Sequence, residues 1–399
     1  MVDDVASVRR NRVPGLSRRR FVSLAAAGTA GLVAAPAIVR PARAAAVVVK
    51  LGQTEALTGP SSPYGIRGRD GARMAVDEIN AAGGFADAKG TVYTLDIHAD
   101  DMANDARQAV TLYRQQALNP EIKATVGPTN SVGFVPIVPI TGQLELVAMG
   151  EAGAPVRRWT PWAFRVNPVG RTAIPVLLEK VVAKERVKRL AIIYDQTQDA
   201  QAGDAEVCRD VQSKLGYEIV ADEAFSAGDQ DFSPQIAKIK NAKPDAMFVA
   251  AATGDGIKVS SQIRAGGIEV PLMTGYGAFQ DPLYWDGTNG VIKGCYTWLA
   301  QDLKSATGVL RDWLEAYNKK NRLEATSYST YGYDSVMCIV ECIKRAGPDR
   351  KQIRDVMGSL DYTTPLGTHV TFKNPPTGEN QTPTVTVVQV TDRGAYVVV

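Results

Sequence analysis

Two rhythms of apolar and polar residues alternate along this chain. Short apolar, β-rich runs predict buried strands at 47–52, 91–97, 124–126, 190–194, 217–220, 246–249 and 270–273. Between them lie longer stretches in which apolar residues recur every three or four positions. The first, 68–82, carries Met74, Ala75 and Ile79 on one face and is stopped by Gly83 and Gly84. Further helices are predicted at 104–118, from Ser131 to about 140, and around 200–215, 232–240 and 255–266. Strand and helix alternating this often implies parallel sheets joined by crossover helices.

The alternation falls into two runs, 47 to about 150 and about 170 to 299. Residues 305–358 then read as mainly helical, and 368–399 as strands, with Pro375, Pro376 and Gly378 in a turn. No tandem repeat or low-complexity linker separates the halves, so two rigid α/β lobes that close on a hinge are expected. In open α/β sheets ligands bind beyond the carboxyl ends of strands. The loops after Gly52, Val126, Ala148, Tyr194, Val249 and Met273 are therefore where chemistry is sought.

Charge changes the picture at the N-terminus. The 399 residues carry a formal charge of +3, which by itself invites nucleic-acid or membrane readings. Residues 1–44 hold eight arginines against Asp3 and Asp4, a local +6, so the remaining 37 basic and 40 acidic residues balance at −3. The basic excess is an N-terminal property, and nucleic acid is not an expected partner. The arginine cluster precedes an Ala- and Gly-rich apolar stretch closed by Ala42, Arg43 and Ala44, the order of a cleaved export signal. Ser17, Arg18, Arg19, Arg20 and Phe21 resemble the twin-arginine export signature. A soluble mature protein outside the cytoplasmic membrane, in the periplasm, is expected.

Enzyme chemistry finds little footing. His98 and His369 are the only histidines and have no ligand-spaced neighbours, so neither a zinc site nor a histidine-assisted nucleophile is expected. Cys338 and Cys342 fall on one face of an apolar helix and read as buried thiols. Phosphate-loop, HExxH and Gly-x-Ser-x-Gly patterns are missing, and Asp100 with Asp101 reads as a solvated loop. No catalytic residue, metal or cofactor is expected.

The strand-end loops carry recognisable text: LGQTEALTGP over 51–60 with Tyr64 and Gly65, AVDEINAAGG over 75–84, VGPTNS over 126–131, Phe164 with Arg165, FSAGDQDFSPQ over 225–235 and YGYDSV over 331–336. In this order they resemble the type I periplasmic binding proteins, in particular the branched-chain amino-acid (Leu/Ile/Val) receptors of ABC importers. The resemblance spans essentially the whole chain after residue 46. It implies two Rossmann-like lobes with parallel sheets and three crossings, lobe 1 from 47–165 plus 300–362 and lobe 2 from 166–299 plus 363–399. It also implies a small-molecule ligand trapped between them, a membrane permease as partner, and a monomer.

Candidate ligand contacts follow. Ser131 opens a helix, where a hydroxyl and backbone N–H groups can receive a carboxylate or simply cap the helix; Asn130 and Thr129 beside it can share either role. The resemblance makes Ser131 the carboxylate contact and Tyr64 an aromatic wall in the first strand-to-helix loop. It places Gly150, Glu151, Ala152 and Gly153 where the family offers groups to the amino-acid head, and Glu151 can take an ammonium or amide N–H. In the second lobe Asp199 and Thr253 are candidates, and Gly275 and Tyr276 stand where amino-acid receptors present an acid. That acid is missing, so the countercharge comes from Glu151 or Asp199, or the ligand lacks an ammonium. The alternatives to an amino-acid receptor are a binding protein for an aromatic acid, amide or urea-like ligand, and a periplasmic sensor subunit for a membrane receptor.

Overall fold

The computed structural model describes residues 46–59, 61–275, 279, 282–372 and 377–399. The export-signal reading, Tyr276 and the Pro375–Pro376 turn lie outside the described residues. The chain builds β1 (Val47–Glu55), α1 (Ser62–Ala81), β2 (Phe85–Ala86), β3 (Val92–Asp101), α2 (Ala106–Leu118), β4 (Ile122–Val126), α3 (Ser131–Leu144), β5 (Val147–Gly150) and β6 (Ala163–Arg165). It continues with α4 (Gly170–Glu185), β7 (Arg189–Asp195), α5 (Asp199–Leu215), β8 (Glu218–Phe225), α6 (Ser233–Ala242), β9 (Ala246–Ala250), α7 (Thr253–Ala265), β10 (Leu272–Thr274), α8 (Pro282–Gly287) and β11 (Tyr296–Leu299). Then follow α9 (Gly308–Asn321), α10 (Ser327–Ala346), α11 (Arg350–Met357), β12 (Asp361–Thr363), β13 (His369–Thr371), β14 (Thr386–Asp392) and β15 (Ala395–Val398).

The strands form two large sheets, ordered β2-β3-β1-β4-β5-β6 and β15-β14-β11-β10-β9-β7-β8. Pairing is parallel except where β2, β14 and β15 join at the edges. Chain order reverses direction across the sheet at β1 and β4 in the first and at β7 and β9 in the second, which opens a crevice at their carboxyl ends. Helices cover both faces of each sheet. On the first, α1 and α10 share a core of Met74, Ala75, Val336, Ile339 and Ile343 with the strands, while Phe134, Ile137 and Tyr113 pack the opposite face. On the second, Leu177, Leu178 and Cys208 lie on one side and Ile236, Ile239, Val259 and Ile263 on the other. All four cysteines are buried free thiols.

Boundaries moved where tertiary contacts overrode polarity. The first strand continues past Gly52 through Gln53, Thr54 and Glu55, all buried, because Gln116 on α2 donates to the Gln53 carbonyl at 3.1 Å and accepts from Thr54 Oγ1 at 3.3 Å. Helix α1 begins at Ser62, six residues before the predicted start, since Pro63 sits in the first turn, where its missing N–H costs nothing. Asp100 and Asp101 end β3 and are no solvated loop. Asp101 accepts from Leu57 N at 2.9 Å, Thr58 N at 3.3 Å, Thr58 Oγ1 at 2.7 Å and Ala103 N at 2.8 Å, so it organises the loop after β1.

The chain crosses between the sheets after β6, after β11 and again before β14. The crossings are tied to one another: Arg165 N donates to Gly378 O at 2.8 Å, and Asn380 N donates to Arg165 O at 3.1 Å. The Arg165 guanidinium, 1 % exposed, pairs with Glu379 and donates to the carbonyls of Ala152 (2.7 Å) and Ala154 (2.9 Å). The β12–β13 hairpin belongs to the first core through Leu360, Leu366, Val370 and Phe372. Residues after 362 were expected with the second half; that half's core takes up the tail only from Val385 and Val387.

Candidate functional site

A cavity of about 200 Å³ opens at the carboxyl ends of both sheets. Glu151 and Gly153 after β5, with Tyr328 and Tyr331 on α10, line it from the first half. The second half contributes the starts of three helices, Val169 and Gly170 at α4, Ala200 and Gln201 at α5, and Ala252 and Thr253 at α7, together with Asp204, Thr274, Gly275 and Trp298. Asn167 and Pro168 lie in the first crossing. No N-cap side chain (Val169, Gln198, Ala252) accepts from the first turn of these helices, and at α4 the Thr172 hydroxyl accepts from Val169 N at 3.3 Å, so first-turn N–H groups such as those of Gly170, Ala200 and Thr253 face the cavity without a side-chain cap. Aligned helix starts favour negative charge nearby.

Among the described residues two carboxyl groups line the cavity, and no Lys, Arg or His does. Glu151 is 2 % exposed and donates its N–H to Pro128 O at 3.0 Å, while neither carboxyl oxygen has a hydrogen-bond partner. Burial, reinforced by the negative charge of Glu55 and Asp334, holds its carboxyl well above the usual carboxylate range. Glu55 is pushed up to about 8 by burial, although it accepts from Thr129 N at 3.0 Å, Thr129 Oγ1 at 2.6 Å and Gln53 Nε2 at 3.3 Å. Burial raises Asp334 to about 7. Asp204 is likewise raised to about 7 by burial. Its carboxyl lies against two glycines: a Cβ on Gly170 would stand 2.0 Å from Oδ1, and one on Gly275 2.6 Å from Oδ2.

Of the sequence candidates, Glu151, Gly153 and Thr253 line this cavity. Tyr64 is in the first turn of α1, not in the preceding loop, and is 41 % exposed; its ring packs on Tyr328 with centroids 4.8 Å apart, one layer behind the lining. Asn130 is the cap of α3, accepting from Gly133 N at 3.0 Å. Ser131 is the residue after the cap, and its Oγ accepts from Ala154 N at 3.0 Å, which braces the loop after β5. Gly150 is a packing glycine, since a Cβ there would meet the Phe134 ring at 1.9 Å. The Ala152 carbonyl is taken by Arg165 and, at 3.2 Å, by Asn167. Asp199 is exposed at the start of α5, and the same helix delivers Asp204 instead. Asp204 was missed, yet its spacing from Ala200 puts both on one helical face. Trp298 and Tyr328 carried no sequence signal beyond an apolar strand and helix, and Tyr331 stood out only as the first residue of the YGYDSV run, without a site role.

Two parallel-sheet halves that turn their strand ends and helix starts onto one shared cavity define a solute-binding architecture, in which a ligand touches both halves at once. The chain belongs to the periplasmic binding protein family, whose model matches residues 48–395. It is 25% identical over 332 residues to the leucine-, isoleucine-, valine-, threonine-, and alanine-binding protein of Pseudomonas aeruginosa, covering 81% of this chain and 85% of that one. It is 27% identical over 348 residues to the Leu/Ile/Val-binding protein homolog 3 of Brucella melitensis, covering 83% and 91%. Its fold is similar to that of the branched-chain amino acid transporter substrate binding protein of Streptococcus pneumoniae, solved with isoleucine, at a TM-score of 0.72 and 22% identity, covering 88% of this chain and 99% of that one. Among the described residues no helix is long and apolar enough to cross a membrane.

Proposed function

We propose that this protein is the exported, periplasmic solute-binding component of an ABC importer, capturing a small amino-acid-like ligand between its halves and presenting it to a membrane permease. The observation that carries this reading is the cavity lined from both halves. A ligand that contacts both stabilises the closed arrangement, so capture is a population shift about the three crossings and needs no covalent chemistry. The uncapped starts of α4, α5 and α7 suit a ligand carboxylate, and Val169, Ala250, Trp298, Tyr328 and Tyr331 supply apolar and aromatic walls. About 200 Å³ suits a compact solute, since clefts for drug-sized ligands run to roughly 300–1,000 Å³. Leucine, isoleucine and valine appear in the names of both relatives, which makes them the first compounds to try.

The test is thermal unfolding of the protein lacking residues 1–44 in the presence of these amino acids, followed by titration calorimetry. A ligand at 100 times its Kd stabilises by about 2.7 kcal/mol, which a thermal shift detects. Aromatic acids, amides and urea form the comparison set, because the three aromatic lining residues also suit a planar ligand. The capture reading is rejected if no small solute from either set stabilises the protein.

A further inference from the structure

We propose that Glu151 and Asp204 together form a two-carboxyl receptor for a cationic nitrogen on the ligand, one carboxyl from each half of the molecule. This deepens the solute-capture reading and rests on it. Both residues line the cavity, which has no basic side chain among its described residues. Glu151 is nine-tenths or more buried with two carboxyl oxygens that accept nothing, an arrangement whose desolvation only an incoming donor can offset.

Asp204 reaches the cavity because the neighbouring elements yield space to it. Gly170 at the start of α4 and Gly275 after β10 both lack the Cβ that its oxygens would strike. The loop after β10 therefore carries no acid, and the carboxyl that serves this corner arrives from α5. An ammonium or amidinium group between the two residues satisfies the buried Glu151 oxygens, which no protein donor reaches, and meets the Asp204 carboxyl across the cavity.

Charge accounting gives the site a pH signature. Facing Glu151 are Glu55 on β1 and Asp334 on α10, with Arg69 acting on Glu55. On the far side of Asp204 an adjoining cleft holds Arg165, Arg171, Glu206, Asp210 and Glu379. In the empty protein Asp204 holds its proton only below its value near 7. A bound cation favours the ionised form, so each carboxyl that ionises on binding releases one proton to solvent while the ligand keeps its own. Affinity then rises with pH through the empty-state value near 7 for Asp204, by about tenfold between pH 6 and pH 8.

The experiment compares L-leucine, 3-methylbutylamine and 4-methylpentanoate, with benzylamine and benzoate as an aromatic pair. Thermal shift and calorimetry are run between pH 6 and 8 in buffers of differing ionisation enthalpy. The expected result is binding of compounds that carry the amine, with proton release, and no binding of the two acids. Asp204→Asn should flatten the pH dependence and Glu151→Gln should weaken binding at least tenfold, each in a protein that still unfolds cooperatively without ligand. Gly275→Ala, which displaces the Asp204 carboxyl without removing it, is the second route to the same loss should either carboxyl variant fail to fold. Binding of an acid as tight as its amine partner, or unaltered binding by the variants, overturns the receptor while leaving solute capture standing. Failure of all five compounds overturns the receptor, and capture falls with it only if isoleucine, valine, the amides and urea fail as well.

Discussion

Gly71→Ala drives a methyl group into the backbone of a neighbouring helix. The new Cβ would lie 1.9 Å from the Ser329 carbonyl oxygen and 2.8 Å from its carbon, whereas carbon–oxygen contacts settle at about 3.3–3.6 Å. Helices α1 and α10 must therefore separate by roughly 1.4 Å, since neither atom is the tip of a flexible side chain. Overpacking costs about 1–3 kcal/mol, with rigid backbone contacts at the upper end, and alanine's better helix propensity returns about 1 kcal/mol. The net loss is about 2 kcal/mol. With an unfolding entropy of about 2.1 cal/mol/K per residue, that lowers Tm by about 3 °C in a chain this long. Differential scanning calorimetry and guanidinium titration should both register it. Gly254→Ala is the control: it is also helical, meets nothing within 4 Å, and should be neutral or slightly stabilising. Gly332→Ala, whose Cβ would stand 2.2 Å from the Gly68 carbonyl oxygen, should repeat the loss, and the double variant should lose less than the sum because one separation relieves both. A Gly71→Ala protein as stable as the Gly254→Ala control would refute the close helix approach.

Three other perturbations probe the frame of the cavity. Arg165→Met leaves the Glu379 carboxylate and the carbonyls of Ala152 and Ala154 without their donor at the crossings, and a loss of about 3–5 kcal/mol is expected in urea unfolding; a loss under about 1 kcal/mol would show that the pair does not hold them. Asp101→Ala removes four hydrogen bonds and should cost about 1–2 kcal/mol. Its carboxyl is held below the usual range by those donors, so its contribution is present above the unfolded-state pKa and fades as pH falls through the lower folded-state value. The raised acids act in the opposite sense. Between the usual carboxylate range and the folded-state values near 7 to 8 for Asp334, Asp204 and Glu55, the native state holds more protons than the unfolded one, so ligand-free stability should fall from pH 5 to pH 8. Glu55→Gln should flatten that decline, and an unchanged slope in Tm against pH would count against the buried-acid assignment.

Hydrophobic periodicity was enough to place nearly every large strand and helix, because period 2 and period 3.6 are local properties of the chain. It was weakest where polar residues are buried. Gln53, Thr54 and Glu55 read as loop, and became strand only because Gln116 and Thr129, distant in sequence, supply their partners. The site was legible in part for the same reason. Glu151, Gly153 and Thr253 follow strand ends, which a sequence reading can locate, whereas Asp204 lies inside a helix and is singled out by the space at Gly170 and Gly275.

By itself, then, the order of residues determined the α/β alternation, the two-sheet organisation, the family, and the strand-end loops from which a ligand would be held. Only the tertiary structure decided which side chains in those loops are free to act. Ser131 and Asn130 satisfy neighbouring backbone N–H groups, while Glu151 keeps two buried oxygens without a donor. A hydroxyl or a carboxyl has the same chemistry wherever it stands in the sequence, and its availability depends on whether the packed neighbours have already met its hydrogen-bonding demand.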